Sequence, residues 1–174
     1  MKSLRGALVQ LEWLHPAILK REHELRSGDD RYGTLVWEQT FGSLAVAETA
    51  DQTWTFKRTG FVTTEVTVRV RGSEANVASL RPGWLGKGTL IVGNQLFDWS
   101  NTGFWTSTWG FSRPDGTAVV QFQPKFTLLR RATDVVVEPS AWAMPELPLL
   151  VCLGWYMMVS IADASASTMI MMGD

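Results

Sequence analysis

The residues of this chain whose types and spacing most suggest chemistry are four cations, Lys57, Arg58, Arg69 and Arg71. Guanidinium and ammonium groups bind phosphate oxygens through charge-assisted hydrogen bonds. Carried outward on neighbouring strands, the four could form a site for anionic phospholipid headgroups. The competing reading is a solvated outer face that keeps a sheet soluble. Parity supports the outward placement. In residues 62–71, Val62, Val66, Val68 and Val70 share one side, while Thr67, Arg69 and Arg71 share the other. Such period-two alternation marks a half-buried antiparallel strand. A short turn at Gly60 would join residues 53–58 to this strand. It would set Lys57 and Arg58 near one end and Arg69 and Arg71 some ~20 Å away, at about 3.3 Å per residue.

Other chemistries find less support. His15, His23 and Cys152 are too few and too scattered for a zinc site, which needs three or four ligands, usually with local pairs. Asp29-Asp30 lacks the alternating acids of a calcium loop. Gly83-Trp84-Leu85-Gly86-Lys87-Gly88-Thr89 resembles a phosphate loop, but Gly88 separates Lys from Thr and a strand follows, so it reads as a hairpin. No Gly-x-Ser-x-Gly elbow occurs. Glu22-His23-Glu24 could pair a base with an acid, although alternation along a strand explains it better. The chain therefore reads as a non-enzyme without a cofactor; an enzyme lacking a familiar motif is the alternative.

The elements that position these residues are short and numerous. Strand-like runs occupy 7–13, 17–25, 31–38, 43–49, 53–58, 62–71, 76–80, 88–92, 96–99, 104–111, 117–123, 125–131 and 133–138, punctuated by Gly, Pro, Asn and Asp at hairpin spacing. Residues 19–26 also fit a helix. Trp54-Thr55-Phe56-Lys57-Arg58 echoes Trp109-Gly110-Phe111-Ser112-Arg113. The echo suggests a unit of about 55 residues used twice in a pseudo-symmetric meander.

Residues 147–162 are different: LPLLVCLGWYMMVSIA carries no charge and is apolar on every side when wound as a helix. Such a helix must be buried, in a core or a bilayer. Sixteen residues reach only about 24 Å, whereas a span needs about 20 apolar residues. No Lys or Arg follows Arg131 to anchor a span. A core helix is expected, with a single-pass tether as the alternative. A strand series closed on itself has no exposed edge. Threading the helix through it satisfies both, so the expected fold is an antiparallel closed barrel of about twelve short strands around a central hydrophobic C-terminal helix.

This order of elements resembles the tubby C-terminal, phospholipid scramblase and LURP-one-related superfamily. The residues that carry the resemblance are Gly33-Thr34-Leu35-Val36-Trp37, 54–60, 66–71, Trp109-Gly110-Phe111 and 149–159. The resemblance implies a single barrel domain over residues 1–163, with 164–174 as a flexible tail, and a binding or scaffold role linked to phospholipid. The phosphoinositide-site signature, the acidic calcium segment and the cysteine cluster of that superfamily have no counterpart here, so no site residue carries over from it.

The chain's 174 residues suit one domain. A formal net charge of −1 and the lack of a motif argue against nucleic acid. The charge is uneven, since every Lys and Arg lies before residue 132. A lone cysteine and the absence of a secretory pattern point to a cytoplasmic protein. Its expected partner is an anionic phospholipid surface, met peripherally, or another protein. Trp84 and Trp105, if exposed, would suit a membrane interface.

Overall fold

The computed structural model describes residues 1–14, 21–39, 42–60, 64–83, 86–103, 107–126 and 131–171. Twelve antiparallel strands close into one barrel. In chain order they are β1 (Leu11–Leu14), β2 (Glu22–Ser27), β3 (Asp30–Trp37), β4 (Ala45–Thr49), β5 (Thr53–Thr59), β6 (Glu65–Val70), β7 (Asn76–Pro82), β8 (Gly88–Val92), β9 (Gln95–Asn101), β10 (Trp109–Ser112), β11 (Ala118–Phe126) and β12 (Arg131–Val137). Each pairs with its neighbours in sequence, and β1 closes the ring on β12 with Leu11 opposite Val135 and Leu14 opposite Ala132. Alternation selects the inner face: Val66 and Val68 of β6 are buried, as are Trp54 and Phe56 of β5.

The helix α1 (Leu147–Met171) runs inside the ring. Trp155 stacks on Trp13 of β1 at 5.8 Å, and Tyr156 stacks on Trp37 of β3 at 5.7 Å. Gly154 faces Phe111 of β10 and Phe122 of β11. Since β10 and β11 lie half a turn of the ring from β4 and β5, the helix touches opposite walls. Every residue from Leu147 to Met157 is buried, and Met158 to Ile161 are half-buried as the helix reaches the barrel mouth. The helix is longer than the expected 147–162, continuing to Met171 through most of the segment expected as a tail. Among the described residues no helix is long and apolar enough to cross a membrane.

The ends of the barrel differ. At the end where α1 begins, Leu4, Ala141 and Trp142 are buried, and Gly6 N–H donates to the Trp142 carbonyl at 3.0 Å. The connections there are short, and Gly28, Gly72, Gly93 and Gly116 adopt positive φ in four of the turns. The helix leaves through the other end. There Arg21 pairs with Asp163 and stacks over the Trp37 ring at 4.9 Å.

Three expectations are corrected. Runs 117–123 and 125–131 join, as far as Phe126, into the single strand β11, with Pro124 inside it. Pro124 pairs with Thr133 of β12, beyond the point where β10 pairs, so the missing N–H interrupts no pairing with β10. The Trp-x-Phe-x-Arg echo is not a structural repeat: β5 and β10 are five strands apart in a meander and therefore run in opposite directions. Residues 19–26 do not form a helix where described, because β2 begins at Glu22. Within β3, Tyr32 is buried along with Leu35 and Trp37 despite its opposite parity, because the register slips between Leu25 and Arg26 of β2 and leaves Tyr32 unpaired there.

Candidate anionic-surface site

The four cations sit on one two-stranded ribbon. Thr55 of β5 pairs with Arg69 of β6, Lys57 with Thr67, and Arg58 with Val66. Lys57 and Arg69 are thus diagonal neighbours on the outer face, where such positions lie about 7–8 Å apart. This is far closer than the ~20 Å that the strand spacing suggested. The reason is the connection. β6 starts at Glu65 rather than at Val62, which lies outside the described residues, so the whole register moves Arg69 towards Lys57. Arg71 follows β6, and its N–H donates to the Thr53 carbonyl at 2.9 Å.

The four are not equivalent. Arg69 is already engaged: Nη1 lies 3.1 Å from Glu74 Oε2 and Nε donates to Asn76 Oδ1 at 2.8 Å. Lys57, Arg58 and Arg71 have no carboxylate within 4.0 Å among the described residues. Arg58 has inward parity but is exposed because it lies at the end of β5, as its shared parity with Trp54 and Phe56 requires of a charge. Its backbone is clamped on both sides of Ser43 Oγ, which donates to the Arg58 carbonyl at 3.1 Å and accepts from its N–H at 3.3 Å. Tyr156 Oη in turn donates to the Ser43 carbonyl at 2.7 Å. Burial raises the Tyr156 phenol above its ordinary value, and the Arg58 charge works against that rise. A chain of contacts therefore links the buried helix to the cationic rim.

The β7–β8 hairpin brings two more cations to the same end. Gly83 N–H donates to the Lys87 carbonyl at 2.5 Å, closing the hairpin as expected. A Cβ on Gly86 would stand 2.7 Å from the Trp109 ring, so only glycine lets the loop lie on it, and its φ of +76° suits glycine as well. This packing fixes Lys87, which is exposed. Arg81 is exposed too and pairs with Glu65 at 3.3 Å. Trp84 and His15, together with Trp105, lie outside the described residues.

The other candidates separate. His23 is buried inside the barrel, edge-on to Trp37 and Trp155, while Glu22 and Glu24 point to the outer side, so the strand divides the would-be acid–base pair. Glu24 is held below the usual carboxylate range by Arg26 and then Arg31, which lie 2.7 and 3.4 Å away. Among the described residues no group of three His, Cys, Asp or Glu could hold a metal ion. Cys152 is fully buried, and burial pushes its thiol up to about 12, the opposite of an activated nucleophile.

One polar cleft escaped sequence reasoning. Barrel closure sets Glu12 of β1 directly opposite Asp134 of β12, and Lys125 of β11 lies 2.5 Å from Asp134 and 4.0 Å from Glu12. Gln10, Ser27 and Gly28 complete a cleft of about 210 Å³. The hydrogen bond to Asp134 raises the Lys125 ammonium above its ordinary range, so a cation stays fixed between the carboxylates. No sequence signal joins residues so far apart.

Comparison with protein-family models, curated proteins and solved structures finds no match.

Proposed function

We propose that the barrel is a non-enzymatic binding module that engages anionic phospholipid headgroups as a peripheral, cytoplasmic protein. The observation that carries this reading is the exposure of Lys57, Arg58 and Arg71 on a single ribbon with no carboxylate partner among the described residues. Arg69 would join them by exchanging Glu74, itself almost fully exposed, for a lipid phosphate. The likeness in architecture to the tubby C-terminal and scramblase barrels, a strand ring around a hydrophobic helix, supports the same reading. Each cation near an anionic surface contributes about 1 kcal/mol.

Co-sedimentation with liposomes of rising phosphatidylserine content tests the proposal. Binding should rise with anionic lipid and fall with salt. The variant Lys57→Gln/Arg58→Gln/Arg69→Gln/Arg71→Gln should bind more weakly by a few kcal/mol, at about 1 kcal/mol per charge. Undiminished binding by that variant would remove the ribbon from consideration.

A further inference from the structure

We infer that the protein lies side-on against an anionic bilayer, with Val77, Ile91 and Leu96 pressed into the headgroup layer beside the cations of the ribbon. This rests on the lipid-binding reading and extends its surface from β5 and β6 round to β9.

Charge divides around the ring. The meander places residues 53–101 on one continuous wall of five strands, β5 to β9. That stretch holds six cations, Lys57, Arg58, Arg69, Arg71, Arg81 and Lys87, against three carboxylates, Glu65, Glu74 and Asp98. All nine are among the described residues. Two of the carboxylates are paired with cations of the same wall, Glu65 with Arg81 and Glu74 with Arg69. The rest of the chain, Lys2, Arg5 and Asp163 included, holds ten cations against fourteen carboxylates. An anionic surface therefore attracts the β5–β9 wall and repels the remainder.

Apolar side chains mark the same wall. Val77, Ile91 and Leu96 are exposed by 37%, 40% and 48%. Strand parity turns all three outward, because Ala78, Leu90 and Phe97 beside them are buried in the core. Ile91 stands directly opposite Leu96 on one side and Ser79 on the other. Val77 lies two residues before Ser79, so it is a diagonal neighbour of Ile91. One cross-strand row runs through Lys57, Thr67, Ser79, Ile91 and Leu96, and joins the cationic ribbon to the apolar patch through two small hydroxyl residues. The register shift between β6 and β7 sets Arg69 opposite Asn76, so Arg69 flanks Val77. The other large apolar side chains exposed among the described residues, Met1, Leu8, Val36 and Val136, lie on the acidic remainder.

The size and chemistry of the patch select its occupant. Three aliphatic side chains, each less than half exposed, fall short of the ~800 Å² per partner that a stable protein interface buries. They suit a bilayer, where a few apolar groups enter the headgroup boundary while neighbouring cations hold phosphates. The long stems of Lys57 and Arg69 reach the surface plane from the shoulder of the barrel.

Vesicles of phosphatidylcholine and phosphatidylserine test the orientation. Val77→Thr/Ile91→Thr/Leu96→Thr keeps every charge and suits a strand. It should weaken association at least about tenfold, from the apolar area no longer removed from water, and leave the salt dependence unchanged. Val36→Thr/Val136→Thr, a matched change off the wall, should stay within about twofold of the unmodified chain. Cys152 is buried and should stay silent to thiol labels, so a fluorophore can be placed at Thr89→Cys on β8 or at Val36→Cys on β3, five strands away. Brominated lipid should quench the first and leave the second bright. The quenching pair needs none of the patch substitutions, and it decides the matter if the threonine variant fails to fold. Equal quenching at the two positions, or undiminished binding by the folded threonine variant, would overturn side-on docking while leaving lipid binding intact. Binding of soluble glycerophosphoserine as tight as that of vesicles would do the same. Failure of the unmodified protein to bind any anionic vesicle would overturn both readings.

Discussion

Gly154 of the helix lies so close to Phe122 of β11 that a Cβ on Gly154 would overlap Phe122 Cε2 and Cζ and press on Phe111 Cε2 at 3.3 Å. A glycine inside a helix costs about 1 kcal/mol relative to alanine. Here it lets the backbone approach the barrel wall. Gly154→Ala should therefore destabilise the fold, by about 1–3 kcal/mol of overpacking despite the gain in helix propensity. Adding Phe122→Leu should return part of that loss, because the two positions share one space. Urea denaturation of the single and double variants measures the coupling. Gly154→Arg buries a charge at a cost of several kcal/mol and should yield no soluble native protein.

The hydroxyl of Tyr156 is the helix's polar anchor near the mouth, donating to the Ser43 carbonyl between β3 and β4. Tyr156→Phe keeps the stacking on Trp37 and the edge contact with Phe56, and removes the hydroxyl that makes this bond. The loss should be about 1 kcal/mol. Ser43→Ala is the matching control. It leaves the carbonyl in place and removes the Oγ clamp on Arg58, so it should alter amide exchange at Arg58 more than it alters global stability.

Much of the fold was legible because burial imposes two periods. Alternation in residues 66–70 and apolarity on all sides of 147–157 can be satisfied together only by a sleeve and a plug. The boundaries were less legible. Pro124 read as a break between strands, yet it stands where β11 has one ladder neighbour and needs no N–H there. The β5–β6 register could not be read from residues 53–71, because it depends on the connection length, and two residues of connection moved Arg69 to within one diagonal of Lys57. Glu12 and Asp134 meet only through ring closure. Pairing across the whole chain length leaves no local pattern.

The helix exit should be tied down locally rather than globally. Arg21 joins Asp163 on the helix to the Trp37 ring of β3. Asp163 is more than half exposed, so the ion pair itself contributes little, within about 1 kcal/mol for surface pairs. Arg21→Ala should speed hydrogen exchange of the α1 amides near Asp163 while shifting the thermal midpoint by no more than a few degrees. A large drop in midpoint would mean that the mouth is part of the folding core.

Alkaline pH should weaken the barrel through Cys152. Its folded-state pKa, raised by burial to about 12, stands above the ordinary thiol value of 9.0. For a group with a raised folded pKa, stability is fully present below the unfolded value and is lost as pH rises towards the folded one. The unfolded chain gains a thiolate from about pH 9 upward while the folded chain keeps its proton, so unfolding becomes progressively easier between about pH 9 and 12. The Tyr156 phenol, also raised by burial, acts in the same direction above its ordinary value of 10.0. Cys152→Ala removes the first contribution. It leaves a small cavity that lowers stability at every pH, so the informative quantity is the slope. Urea midpoints measured from pH 7 to 11 should fall less steeply for Cys152→Ala than for the unmodified chain. Parallel profiles would show that the thiol does not carry the alkaline loss.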